Sequence, residues 1–152
     1  MSTALQLEKQ RAQQILDILH ENLPIREEDF ASLIVAHESK DPFRVLVVTI
    51  LSQNCTDIAA LRAYSNLDQQ VGVTVSKLRR ASIKKLEKAI HVAGLHRGKA
   101  RALKRLGQVL TDQYSGGLQK ILRSPTDDAR LKLQELPKVG PKTADVHLAG
   151  LR

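Results

Sequence analysis

Aromatic residues and cysteine are scarce in this chain of 152 residues. It has no tryptophan, two phenylalanines and two tyrosines, and aromatics make up 3% of the sequence. A hydrophobic core must therefore be built from leucine, isoleucine, valine and alanine, which suits packed helices. The single cysteine, Cys55, excludes an internal disulfide and a metal cluster held by cysteines of this chain. We therefore expect neither a cofactor nor a metal site in these residues.

Long hydrophobic segments are also missing. The first residues, "MSTALQLEKQRAQQ", mix apolar and polar side chains and lack the apolar stretch of a signal peptide. No other stretch approaches the roughly 20 apolar residues of a transmembrane helix. Together with the single cysteine, these absences predict an intracellular protein of the cytoplasm, nucleoid or nucleus that is neither secreted nor held in a membrane.

Positive charge is in excess. The chain has 24 Lys and Arg residues against 16 Asp and Glu residues, which gives a formal net charge of +8. In a chain of this size, such an excess favours a polyanionic partner, and nucleic acid first. A basic surface without a specific partner is the alternative, and charge alone does not separate the two.

Amphipathic helical segments fill the sequence. Apolar residues recur at helical spacing, and short breaks separate the segments. The apolar stretch "FRVLVVTILSQ" has no second strand to pair with, so we interpret it as a buried helix. The pattern predicts an all-α fold with an N-terminal helix in residues 1–24 and a helical domain over residues 25–152. Asn54 or Thr56 would cap the helix that starts at "DIAAL".

Turn-forming residues are concentrated in "LPKVGPKTAD", residues 136–145. Pro137 ends the incoming helix, Gly140 permits a sharp turn or a close approach, and Pro141 suits the first turn of the next helix. The pattern predicts a helix-hairpin-helix over residues 127–150. The exposed N–H groups of its hairpin would bind a DNA phosphate without reading a base. An ordinary tight turn between two helices is the alternative.

Three segments together resemble one protein family. "LPKVGPKTA", "ILSQNCTD" (residues 50–57) and "AGLHRGKARALKRL" (residues 93–106) are similar, in order and spacing, to segments of the endonuclease III family of helix-hairpin-helix DNA glycosylases. The resemblance extends over roughly residues 28–150. It implies an all-α fold with two lobes around a DNA-binding cleft. It also implies base-excision repair, in which a damaged base, usually an oxidised pyrimidine, is flipped out and removed.

The resemblance also implies that Lys142 is catalytic. Bifunctional family members attack the sugar C1′ with a lysine at the start of the second hairpin helix, form a Schiff base and nick the strand by β-elimination. A nucleophilic amine must be neutral, and both the helix N-terminus and nearby Lys138 disfavour the protonated form. The adenine-removing relatives lack lysine at this position, which argues against that branch. A lysine that contacts a phosphate is the alternative.

The DNA-contacting residues follow from the hairpin and the resemblance. Asn54 matches the family's glutamine, which inserts into the gap left by the flipped base, and a helix N-cap is its alternative role. Lys138 replaces the first glycine of the family's hairpin and adds a charge for a phosphate contact. Asp145 is interpreted as structural or as a local charge partner, and His147 as a packing residue. The predicted DNA-binding residues are Lys138, Val139, Gly140, Pro141, Asn54 and Arg97.

The end of the chain departs from the family pattern. The family's catalytic aspartate, in a Val-Asp-Thr-His segment, lies beyond the hairpin, and so do the four cysteines of a 4Fe–4S cluster in many members. We therefore expect a fold truncated at its C-terminus. Residues 1–24 would pack on the missing part, which a longer form or a second polypeptide would supply, and the cluster is possible in a full-length form.

Two function classes stay open for this sequence. The first is a DNA glycosylase and abasic-site lyase that acts on double-stranded DNA with damaged bases or abasic sites. The second is a non-catalytic helix-hairpin-helix DNA-binding module or an inactive fragment. Lys142 and Asn54 favour the enzyme, because a module that only binds phosphates needs neither.

Overall fold

Ten helices occupy the part of the chain that the structure, a computed structural model, describes, which is residues 2–22 and 30–150. No residue in these two ranges lies in a strand, so the all-α prediction is confirmed. The predicted boundary between residues 24 and 25 lies outside the described residues. The helices are α1 (Ser2–Asn22), α2 (Ala31–Ser39), α3 (Pro42–Ser52), α4 (Asp57–Gln70), α5 (Val75–Arg80), α6 (Ile83–Ala89), α7 (His96–Tyr114), α8 (Gln119–Leu122), α9 (Thr126–Gln134) and α10 (Pro141–Gly150).

Helix α3 is the centre of the core. Its side chains from Val45 to Leu51 are all buried, and α2, α4 and α10 pack around it. Asp41 caps its start by accepting a hydrogen bond from the Phe43 N–H, and Pro42 occupies the first turn. The interpretation of this apolar stretch as a buried helix is confirmed. Each fully buried aliphatic side chain here contributes about 1.5–3 kcal/mol relative to exposure.

Helix α7 forms the second long element, and α5 lies directly on its backbone. A Cβ atom added to Gly107 would come within 2.8 Å of the Arg79 nitrogen and 2.9 Å of the Val75 oxygen. The close contact therefore requires glycine. Lys104 closes the same junction, because its ammonium donates to the carbonyls of Arg79 and Ala81, both at 2.8 Å.

The predicted helix-hairpin-helix is formed by α9 and α10, which pack on each other. The residue in the left-handed region of the hairpin is Lys138, with φ of 57°, whereas Gly140 is not at positive φ. The sequence analysis left a sharp turn and a close approach open for Gly140, and the structure places the left-handed turn residue at Lys138 instead. A Cβ atom at Gly140 would meet nothing within 4 Å, so this position faces open space.

Helix α1 keeps its apolar side chains exposed. Their exposed fractions range from 46% to 59% for Leu5, Leu7, Ile15, Leu16, Ile18 and Leu19. The expectation that this helix packs on a C-terminal part stays a prediction. Within residues 2–22 and 30–150, no helix is long and apolar enough to cross a membrane.

Candidate active site and nucleic-acid interface

A cleft of about 310 Å³ lies between the end of α3 and the start of α10. Lys142 and Asn54, which the sequence analysis singled out separately, both line it and are both exposed. The segment after α3 and the hairpin therefore form one site. The lining residues are Thr49, Ser52, Gln53, Asn54, Lys142, Thr143 and Val146.

Lys142 lies in the first turn of α10, directly after Pro141. The N–H groups of a first helical turn have no intrahelical acceptor and carry the positive end of the helix dipole. Among residues 2–22 and 30–150, no hydrogen bond or ion pair engages the Lys142 side chain. Its amine is therefore available to a ligand in the cleft.

Gln53 connects the two sides of the cleft. Its side-chain amide donates to the Lys138 carbonyl at 2.7 Å and to the Thr143 hydroxyl at 3.1 Å. These bonds fix the hairpin turn and the first turn of α10 relative to the end of α3. The sequence analysis missed this role, for which the only signal was a second amide residue beside Asn54.

Asn54 is exposed and adopts a left-handed backbone conformation, with φ of 53°. Thr56 caps α4, since its hydroxyl accepts from the Ala59 N–H at 3.2 Å. The alternative in which Asn54 caps this helix is therefore wrong. A Cβ atom on Gly94 would lie 3.2 Å from the Asn54 carbonyl oxygen, so the turn before α7 rests against Asn54.

Leu95 follows Gly94 in this turn and is a second residue that the sequence analysis missed. It has φ of 59° and its side chain is 61% exposed. A left-handed backbone at a non-glycine residue costs about 1–2 kcal/mol, and the exposed leucine gains no core contact in return. Leu95 is therefore an exposed apolar side chain on a strained backbone in the turn that contacts Asn54.

The buried side chain of Lys99 fixes the position of the segment after α3. It is only 1% exposed, and its ammonium donates to the carbonyls of Leu51 at 2.8 Å and Gln53 at 2.6 Å. The last carbonyls of a helix lack intrahelical donors and carry the negative end of the dipole, which explains a lysine in this buried position. Burial lowers the pKa of Lys99, and nearby Cys55 opposes this shift. The sequence signal was the lysine inside the segment "AGLHRGKARALKRL".

The remaining predicted DNA-binding residues lie around the same corner. Arg97 is exposed in the first turn of α7. The Lys138 side chain extends over Gly98, where an added Cβ would be 3.5 Å from its Cε atom. Val139 differs, because its side chain is buried and its N–H donates to the Leu136 carbonyl at 3.2 Å. The hairpin therefore offers an anion the exposed N–H of Gly140 and the N–H groups that follow Pro141 in the first turn of α10, rather than the Val139 side chain.

Asp145 and His147 lie on α10 outside the cleft. Asp145 accepts two hydrogen bonds from the Arg130 guanidinium, at 2.7 and 3.3 Å, and this pairing lowers its pKa. His147 is buried and its Nε2 donates to the Pro42 carbonyl at 2.8 Å, because a carbonyl only accepts. Burial lowers the pKa of His147. The interpretations of a local charge partner and a packing residue are confirmed.

The side chains of this chain do not suit a 4Fe–4S cluster. Such a cluster is held by four cysteine thiolates, and the chain has only Cys55. The Cys55 thiol donates to the Leu51 carbonyl at 2.9 Å. Across residues 2–22 and 30–150, no group of three or more His, Cys, Asp or Glu side chains could hold a metal ion.

Comparisons with known proteins agree on one family. The HhH-GPD superfamily of base excision DNA repair proteins matches residues 47–150. Endonuclease III of Sulfolobus acidocaldarius is 35% identical over 138 residues, which are 90% of this chain and 60% of that protein. Endonuclease III of Thermotoga maritima is 35% identical over 112 residues, which are 74% of this chain and 48% of that protein.

A solved structure gives the same result. The structure of a trapped endonuclease III–DNA covalent intermediate superposes with a TM-score of 0.72 and 29% sequence identity. The match covers 94% of this chain and 60% of that one. The chain thus spans about half to three fifths of the length of the curated relatives that it matches.

Proposed function

The chain belongs to the HhH-GPD superfamily of base excision DNA repair proteins, within the endonuclease III family, and on this premise we propose its function. It binds double-stranded DNA at damaged bases and abasic sites, and it cleaves abasic sites through Lys142. The observation that carries the proposal is the unpartnered Lys142 amine in a cleft lined by two amide side chains. The damaged bases would be oxidised pyrimidines, as the family resemblance implies.

In the proposed complex, the hairpin holds one strand by its phosphates. The backbone N–H groups at the start of α10 are suited to an anion. Lys138 adds a positive charge beside them, and Gly140 leaves room for the strand because a Cβ there would meet nothing within 4 Å. Such contacts fix the register of the DNA and carry no sequence information.

Asn54 and Leu95 would occupy the gap that a flipped nucleotide leaves in the stack. The Asn54 amide offers donors and an acceptor to the unpaired opposite base. Leu95 is an exposed apolar side chain, which can enter a base step as a wedge. Their neighbouring turns are in contact at Gly94, so the two side chains would act on the same step.

The chemistry at Lys142 is the attack of a neutral primary amine on C1′ of the ring-opened abasic sugar. A C–N bond forms and water leaves, which gives a Schiff base. Loss of a proton from C2′ then expels the 3′ phosphate and breaks the strand. The resemblance implies an assisting aspartate beyond the hairpin. DNA that already carries an abasic site tests the lysine without the base-removal step.

Gln53 and Lys99 support this arrangement as positioning residues. Lys99 fixes the carbonyls of Leu51 and Gln53, and the Gln53 side chain in turn holds the hairpin at the Lys138 carbonyl. A reacting amine gains most of its rate from being held in the correct geometry. Loosening either contact is therefore expected to slow the reaction more than it weakens binding.

The test is covalent trapping with borohydride on a duplex that contains one abasic site. The wild-type chain should give a covalent protein–DNA adduct, and Lys142→Gln should give none while it still binds the duplex. Equal trapping by both proteins would assign the reaction to another amine. If the wild type binds the abasic duplex and never traps, the non-catalytic DNA-binding module becomes the better description.

A further inference from the structure

The excess positive charge of the chain lies in one segment. Residues 77–105 hold eleven Lys and Arg residues and one acidic residue, Glu87, whereas the other 123 residues hold 13 basic and 15 acidic residues. This segment covers most of α5, all of α6 and the first half of α7. The hairpin and the residues that line the cleft lie outside this segment.

Two of these eleven side chains form hydrogen bonds within residues 2–22 and 30–150, and the other nine form none there. Lys99 and Lys104 each bind two backbone carbonyls. The other nine are exposed, and no ion pair within residues 2–22 and 30–150 involves them. We call these nine the basic surface. They are Lys77, Arg79, Arg80, Lys84, Lys85, Lys88, Arg97, Arg101 and Arg105.

A single-sign surface of this kind is unfavourable for the free protein. Like charges repel and lower the stability of the folded state, and protein surfaces normally intersperse both signs. Basic residues in the last turn of a helix compensate its dipole, which explains Lys77, Arg79 and Arg80 on α5. The dipole does not explain Arg97, which lies in the first turn of α7, where positive charge is disfavoured. It does not explain Arg101 and Arg105 either, because they lie beyond the reach of both helix ends.

These three arginines form a stripe. They are spaced four residues apart, so they share one face of α7, and the apolar residues of α7 are buried on the other side. At 1.5 Å per residue the arginine stripe is about 12 Å long. It begins beside Gly98, where the Lys138 side chain from the hairpin lies within 3.5 Å of an added Cβ. The stripe therefore continues directly from the hairpin corner.

We propose that the basic surface, through the arginine stripe of α7, binds the phosphate backbone of the same duplex beyond the hairpin. The proposal rests on the proposed function, since it extends that DNA contact. Guanidinium groups bind phosphate oxygens in pairs of hydrogen bonds. One strand carries a phosphate every 3.4 Å along the helix axis, so a stripe of about 12 Å spans roughly three to four of them.

An anionic membrane is the other polyanion to consider, and the stripe fits it less well. Membrane-surface helices combine basic side chains with an apolar face that enters the lipid. The apolar side chains of α7, such as Leu103, Leu106 and Leu110, are fully buried in the core and unavailable to lipid. The stripe therefore has charge for phosphate groups but no apolar face for lipid, which favours DNA over a membrane as its partner.

The experiment compares two double variants with the same loss of charge. Arg101→Gln with Arg105→Gln removes two arginines of the stripe. Arg11→Gln with Arg123→Gln removes two exposed arginines elsewhere, on α1 and after α8. Binding of an undamaged duplex is measured over a range of salt concentrations. Each lost phosphate contact lowers the magnitude of the log–log salt slope by about 0.9, so the stripe variant should lose about 2 units and the control almost none.

Several outcomes would overturn the proposal. Equal changes in both variants would mean that only net charge matters, and an unchanged slope in the stripe variant would exclude the contact. If the stripe variant binds the duplex normally but no longer binds phosphatidylserine-containing vesicles, the basic surface would be assigned to a membrane. If the wild type fails to trap on abasic DNA while its salt slope still depends on the stripe, the proposed reaction fails and the surface stands.

Discussion

The cleft and the basic surface both carry positive charge, but they hold it in different ways. In the cleft region, Lys99 is buried against two carbonyls, and the backbone of Lys138 is held by Gln53. On the basic surface, nine side chains extend into solvent without an ion-pair partner in the described part of the chain. Fixed geometry is needed for a reaction, whereas attraction of a phosphate backbone needs only charge.

The difference predicts that variants of the two regions change different quantities. A change in the cleft should alter the rate of the reaction and leave the salt dependence of binding largely intact. A change on the basic surface should alter salt dependence and affinity without a direct effect on the reacting amine.

The largest effect is expected for Lys142→Arg. The variant keeps the positive charge, but a guanidinium stays protonated and is no nucleophile. Borohydride trapping on abasic DNA should fall below detection, while the dissociation constant for the same duplex should stay within about threefold. Lys120→Arg, at an exposed lysine of α8, is the matched control and should trap like the wild type. Trapping by Lys142→Arg would mean that the cleft amine is not the nucleophile.

The next effect concerns the two lysines of α7 that bind carbonyls. Lys99→Met leaves the carbonyls of Leu51 and Gln53 without their donor, and Lys104→Met does the same to Arg79 and Ala81. Loss of a buried hydrogen-bond partner costs about 1–3 kcal/mol, which applies to Lys99. The Lys104 bonds are exposed or partly buried, so their loss should cost less. Denaturant unfolding should therefore show lower stability for both variants.

Only Lys99→Met should slow the trapping reaction, because only Lys99 holds the segment that lines the cleft. Single-turnover trapping at saturating protein measures this rate separately from binding. Equal rates in Lys99→Met and Lys104→Met would show that Lys99 is merely structural. A changed salt slope of duplex binding in Lys99→Met would contradict the assignment of the reaction rate to the cleft and of salt dependence to the basic surface.

A smaller effect is expected from pH, through the residue that anchors α10. Burial lowers the pKa of His147, so the folded state binds fewer protons than the unfolded state below about pH 6.5. Stability should therefore fall as the pH is lowered through this range, and be unaffected by His147 above it. Thermal melts at several pH values should show a steeper loss for the wild type than for His147→Gln.

His91→Gln is the control for this pH effect. His91 is exposed and lies next to His96, with ring centroids 5.0 Å apart. Its replacement should leave the pH dependence of the melting temperature close to that of the wild type. If His147→Gln melts with the same pH dependence as the wild type, the buried histidine is not the source of the effect.

Much of the scaffold could be predicted from the sequence, because its signals are local. Helical periodicity and cap residues gave the helices, and Pro137 and Pro141 marked the hairpin. The contacts that build the cleft are long-range, since Gln53 bonds to Lys138 across 85 residues. The burial of Lys99 could not be predicted from the sequence either, because lysine is almost never fully buried without a partner. The partners here are backbone carbonyls, which no residue pattern reveals.

The left-handed conformation of Lys138 did have a signal, because Lys138 replaces the first glycine of the family's hairpin, and it gives the smallest predicted effect. With φ of 57°, Lys138 has the backbone that glycine adopts freely. Lys138→Ala and Lys138→Gly remove the same charge, so both should lower the magnitude of the salt slope of duplex binding by about one unit. Only glycine also relieves the backbone, so Lys138→Gly should be more stable than Lys138→Ala by up to about 1 kcal/mol in denaturant unfolding. Equal stabilities of the two variants would show that the hairpin relaxes around alanine. Unequal salt slopes would show that the phosphate contact depends on the backbone at residue 138 as well as on its charge.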